Sequence, residues 1–134
     1  MRRFIEDDSG YDIVIPRTDS VQMLLTMWQS LLPVFSARRW SLFFTKPEEG
    51  HIICSDAPVS ITPTRPDSRL RFLGFGLKET ELTVPISRSL ALVGSYETPS
   101  MTAQIPLTFV RLINRRTISF AERFLYSADK GLLR

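Results

Sequence analysis

The apolar residues of this chain change their spacing twice, and each change rules out a uniform architecture. Val21, Leu24, Leu25, Trp28, Leu31, Leu32 and Phe35 recur at helical intervals and make one broad stripe. At Trp40 the period drops to two. Trp40, Leu42 and Phe44 alternate with Ser41, Phe43 and Thr45, and the aromatics favour a strand. From Ile105 the helical period returns through Phe109, Leu112, Ile113, Phe120, Ala121, Phe124 and Leu125, which predicts a closing helix over residues 105–126. The order helix, strands, helix predicts an α+β fold. We expect a small antiparallel sheet of roughly four to six strands, built from two hairpins, with an N-terminal and a C-terminal helix packed on one face.

The punctuation between these runs sets the expected elements. Asp19 or Ser20 offers a capping oxygen to the first helix, and Pro33 is expected to end or kink it by removing a backbone donor. "PEEG" turns the chain so that "HIICS" returns as a strand, a first hairpin across residues 40–55. "VSIT" is a short continuation, and the glycines of "LRFLGFGLK" suit a bend. "ELTVPIS" and "LALVGSY", joined at Arg88-Ser89, form a second hairpin, with Pro85 confined to an edge or a bulge because it cannot donate to a ladder. Residues 1–18, including the polar "EDDSGYD" and a short edge strand "DIVIP", read as an irregular lead-in to a single domain over residues 19–134.

Composition narrows the function classes. A chain of 134 residues with 43% hydrophobic and 23% charged residues has the balance of an ordinary globular domain. No apolar run approaches the roughly 20 residues of a membrane span, and the acids of "MRRFIEDDSG" break up any signal-like start, so no membrane partner is expected. Cys54 is the only cysteine and His51 the only histidine. That excludes an internal disulfide and leaves too few ligands for a structural zinc. It also suits a reducing, cytoplasmic setting. No cofactor motif is present: the glycine pair Gly74 and Gly76 completes neither a dinucleotide-binding nor a P-loop pattern. Net charge is +3, and most of the basic residues are arginine, which suits phosphate and carboxylate recognition.

Two places carry candidate chemistry. In "IICSDAPVSI", Ser55 and Asp56 sit at a strand end with His51 nearby. Spacing argues against a nucleophilic triad, because positions four apart on a strand lie about 13 Å from each other at roughly 3.3 Å per residue, far beyond a shared hydrogen bond. Asp56 before Ala57-Pro58 has a structural reading, a carboxylate accepting N–H groups of its own turn. Its alternative is a pocket for a small polar ligand lined by Ser55, Asp56, Asn114 and an arginine, Arg88 or Arg115. Asn114 enters because it interrupts an apolar helix and needs partners if buried. Cys54, on an apolar strand, reads as an inert buried thiol, and the pairs Asp7/Asp8 and Glu48/Glu49 read as solvated surface.

Three segments in order, "RRWSLFFTKPEEGHIICSDAPVSI", "ELTVPISRSLALVG" and "VRLINRRTISFAERFLYS", resemble the C-terminal part of the family catalogued as domain of unknown function 4238. The likeness covers roughly residues 36–127. It rests on an aromatic strand at Trp40, on Ser55-Asp56-Ala57-Pro58, on Pro85-Ile86-Ser87, and on a closing helix carrying Asn114, Ala121 and Ser127. Members of that family open with a His-x-x-Pro-x-x-Tyr-Leu segment and a helical N-terminal half. This chain has neither, so the resemblance implies a shortened relative and a fold, and leaves the activity open.

Two function classes follow. The preferred one is a non-enzymatic interaction or ligand-binding module that self-associates or meets a protein partner. The alternative is a nucleic-acid-associated protein or nuclease fragment that uses Arg111, Arg115, Arg116 and Arg123 of the last helix.

Overall fold

The computed structural model describes residues 16–65 and 73–129. The expected edge strand before Pro16, most of the lead-in and much of the "PTRPDSR" loop lie outside these residues. The chain divides into two compact units, residues 1–32 and 33–134.

Helix α1 (Arg17–Ser36) carries the predicted first stripe and crosses from one unit into the other. It starts two residues before the expected cap: Ser20 N–H already donates to Pro16 O at 3.0 Å. The hydroxyls of Thr26 and Ser30 donate back to the carbonyls of Gln22 and Thr26, so the helix satisfies its own polar side chains. Pro33 neither ends it nor stops its hydrogen bonding, since Ala37 N–H donates to Pro33 O at 3.0 Å. No residue of α1 is buried.

The second unit holds a five-stranded sheet in the order β3-β4-β5-β1-β6, made of β1 (Arg39–Phe44), β3 (Ser60–Pro63), β4 (Thr80–Ser87), β5 (Leu90–Ser95) and β6 (Thr102–Gln104). A two-stranded ladder joins β2 (Cys54–Ser55) to β7 (Leu125–Tyr126), and α2 (Leu107–Phe120) lies between β6 and β7 in sequence. The architecture is α+β, as the period changes indicate, with one helix near each end. All pairings are antiparallel except β1 with β6, which is parallel and makes the larger sheet mixed.

The β4–β5 hairpin turns at Arg88-Ser89 as expected, and the register slips between Pro85 and Ser87, the bulge that a proline in a paired strand demands. Gly74 and Leu77 close the expected bend with an N–H···O bond of 3.1 Å. The segment 40–55 behaves differently. β1 does not turn back onto "HIICS"; it pairs with β5 and β6, and β2 pairs with β7. Apolar side chains on both faces of β1 explain this. A strand of that kind belongs inside a sheet, where it has a neighbour on each edge.

Register puts Phe43, Ala91 and Thr83 on the face that α2 covers. Val110, Ile113 and Thr117 of α2 are buried there at helical spacing. Ile52, Ala91, Ile105, Val110 and Ile113 form the core, with Phe43 and Phe109 packed against it in an edge-to-face pair 5.2 Å apart. Arg116 reaches down from α2 to Glu81, an ion pair that also takes Thr83 Oγ1 at 2.8 Å. α2 ends at Phe120, six residues short of the predicted end. The residue that stops it lies in the site.

Candidate functional site

The segment from Gly50 to Asp56 runs beneath α2 and gathers most of the residues that the sequence singled out. It begins at a conformational corner: Gly50 has φ +98°, a region that side chains rarely adopt. The segment is then held by side chains rather than by a long ladder. Asn114 Nδ2 donates to His51 O at 2.8 Å and its Oδ1 accepts Ile53 N–H at 3.0 Å. A carbonyl and the N–H two residues on point to the same edge of an extended chain, so the Asn114 amide replaces a neighbouring strand. On the same segment, Ile52 N–H donates to Arg88 O at 2.8 Å, which ties it to the β4–β5 turn.

Asp56 closes the segment. Its Oδ1 accepts Glu122 N–H at 3.1 Å, and its Oδ2 accepts Arg123 N–H at 2.9 Å and Phe124 N–H at 3.2 Å. Asp56 N–H donates in turn to Phe124 O. The carboxylate therefore gathers backbone donors, as the structural reading supposed, but from the chain after α2 and not from its own turn. Those amides cannot also continue a helix, so Ala121 adopts an extended ψ of 134° and β7 follows.

Ser55 is buried (4% exposed), and among the described residues its Oγ has no hydrogen-bond partner. Cys54 is partly buried. Arg115 is exposed on α2, and the clefts described below do not include it. Arg88 is exposed at the hairpin turn and lines a cleft.

That cleft is about 190 Å³ and is lined by Thr45, Lys46, Pro47, Gly50, His51, Arg88 and Ser89. Thr45 N–H donates to Ser89 O at 3.0 Å, so the end of β1 and the β4–β5 turn are joined at its floor. Lys46 and Arg88 bring two positive charges to it beside the His51 imidazole, and no lining residue is acidic. Lys46 and His51 were missed as site residues in the sequence. The available signal was that both flank the "PEEG" turn, which curls them toward one side through a short 3-10 segment at Pro47–Glu49.

The remaining cations behave individually. Arg38 is buried (3% exposed) without a carboxylate. Its Nη1 donates to Thr80 O and Gly94 O, its Nη2 donates to Phe75 O and Thr80 Oγ1, and the group stacks 4.4 Å from the Tyr96 ring centre. Burial lowers the guanidinium pKa, and Tyr96 partly opposes that shift. Arg38 joins the end of β5 to the start of β4, and its terminal nitrogens are spent on protein oxygens. Of the four arginines considered for nucleic acid, Arg116 is drawn inward to Glu81, Arg123 follows the end of α2, and Arg111 and Arg115 remain exposed on the helix.

Among the described residues no group of three or more His, Cys, Asp or Glu side chains can hold a metal ion, and no helix is long and apolar enough to cross a membrane. No curated protein and no solved structure matches the chain. A family model matches residues 3–131, which takes the likeness carried by the strands and the closing helix on through the N-terminal segment. With the match covering nearly its whole length, the chain belongs to the family described as Protein of unknown function (DUF4238).

Proposed function

We propose that the protein is a binding module that takes a phosphate or carboxylate group in the cleft of Lys46, His51 and Arg88. The observation that carries this reading is the charge of that cleft: the cationic side chains of Lys46 and Arg88 and the His51 imidazole line one small space with no acid among them. Such a space concentrates anions, and a guanidinium at its mouth gives two parallel donors to a planar or tetrahedral oxyanion. Ser55, Asp56 and Asn114 support the same reading indirectly. Asn114 and Asp56 hold the segment that carries His51, and Ser55 is buried on that same segment, so their part is to position the cleft. The free thiol of Cys54 supports a cytoplasmic setting. For self-association, the exposed Leu24, Leu25 and Trp28 of α1 provide apolar surface, and light scattering on a sizing column measures it.

Titration calorimetry with inorganic phosphate tests the reading. Wild-type protein is expected to bind in the millimolar range or tighter. Arg88→Gln is expected to weaken binding by about tenfold, because it removes a charge-assisted pair. Equal affinity in the two proteins would end the proposal.

A further inference from the structure

The cationic cleft does not stop at His51. Pro47, Gly50 and His51 also line a second cleft, of about 240 Å³, whose other walls are Leu107, Val110, Arg111, Asn114 and Asp129. We propose that the two clefts form one groove across Gly50, and that its ligand is an organic anion. The phosphate or carboxylate head lies between Lys46 and Arg88, and an apolar body lies on Leu107 and Val110. This rests on the anion-binding reading and adds the class of molecule.

Three observations carry it. Either cleft alone is smaller than the roughly 300 Å³ at which small-molecule pockets begin, and together they pass that size. Their chemistry differs along the groove. The first is cationic and hydroxylated; the second has the carbon surfaces of Pro47, Leu107 and Val110, with Arg111 and Asp129 of opposite charge at its side.

The third observation is the residue at the junction. A Cβ on Gly50 would stand 3.2 Å from Leu107 Cδ1 and 3.9 Å from Val110 Cγ1, so the backbone of Gly50 packs close against the apolar wall of the second cleft while it also lines the first. The N-terminus of α2 is not the anion site. Leu107 N–H already donates to Glu49 Oε2 at 3.0 Å, so that end of the helix has its carboxylate.

The test is a paired titration of the full chain with inorganic phosphate and phenyl phosphate, and with acetate and benzoate, followed by calorimetry and by amide chemical shifts. In wild-type protein the phenyl-bearing member of at least one pair is expected to bind about tenfold tighter, the gain from covering part of one ring. The pair that shows it identifies the head group. Leu107→Ser is expected to bring that ratio within about twofold. Arg88→Gln is expected to weaken both members alike. The amide of Val110 is expected to shift with the phenyl compound and not with the bare anion, a readout that needs no variant.

No preference for the phenyl compound in either pair, or a preference that Leu107→Ser leaves intact, overturns the groove and leaves the anion cleft standing. An absence of binding by every anion overturns both.

Discussion

Asp56 shows how one side chain can decide where a helix stops. Ala121, Glu122, Arg123 and Leu125 are good helix formers, and nothing local argues against continuing α2 through them. Three amides gathered by a carboxylate from far upstream outweigh that preference. Asp56→Ala is therefore expected to cost about 2 kcal/mol of stability in urea unfolding, with Asp56→Asn recovering about half, because an amide oxygen accepts without charge. It should also raise amide exchange over residues 122–126 more than elsewhere. Unchanged stability and exchange would mean that the contacts carry no energy. The Ser55-Asp56 pair was legible in sequence as a place of consequence, and so was the need of Asn114 for partners. Which donors and acceptors they meet was not, because each partner is brought in by tertiary packing.

At the scale of elements, β1 and β5 meet where a glycine makes room for a ring. Gly94 is the register partner of Trp40, and a Cβ there would lie 2.8 Å from the indole. The indole is not free to move aside, since its Nε1–H donates to Phe35 O at 3.0 Å. Gly94→Ala is expected to destabilise the protein by about 1–3 kcal/mol in thermal or urea unfolding, with Trp40→Leu in the same chain recovering part of the loss. An undiminished midpoint would show that the sheet opens at that corner. In sequence Gly94 is only a residue that weakens a strand, and its reason is visible only when the opposing strand is known. The β4–β5 hairpin was legible because its turn and its proline are local features. The partners of β1 were not, because alternation identifies a strand without saying which strand lies beside it.

On the scale of the whole molecule, the cleft gathers the end of β1, the β4–β5 turn, the Gly50–Ile52 segment and, through the groove, α2. A ligand held by all four stabilises the folded state by linkage. Phenyl phosphate at a hundred times its dissociation constant is expected to add about 2.7 kcal/mol, a rise of several degrees in Tm, and Arg88→Gln at the same concentration should lose about half of that rise. An equal rise in both proteins would point to a general salt effect. The sheet order has a separate consequence, for synthesis. β1 is an interior strand of the sheet, yet among the described strands it leaves the ribosome first, and its partners Leu90–Ser95 and Thr102–Gln104 follow only after more than half of the unit is made. At about 5–20 residues per second, Trp40, Leu42, Phe43 and Phe44 remain without their neighbours for several seconds on the nascent chain. Aromatic residues held open for that long are what a chaperone at the exit tunnel recognises, and the rate of translation between β1 and β5 sets how long they wait.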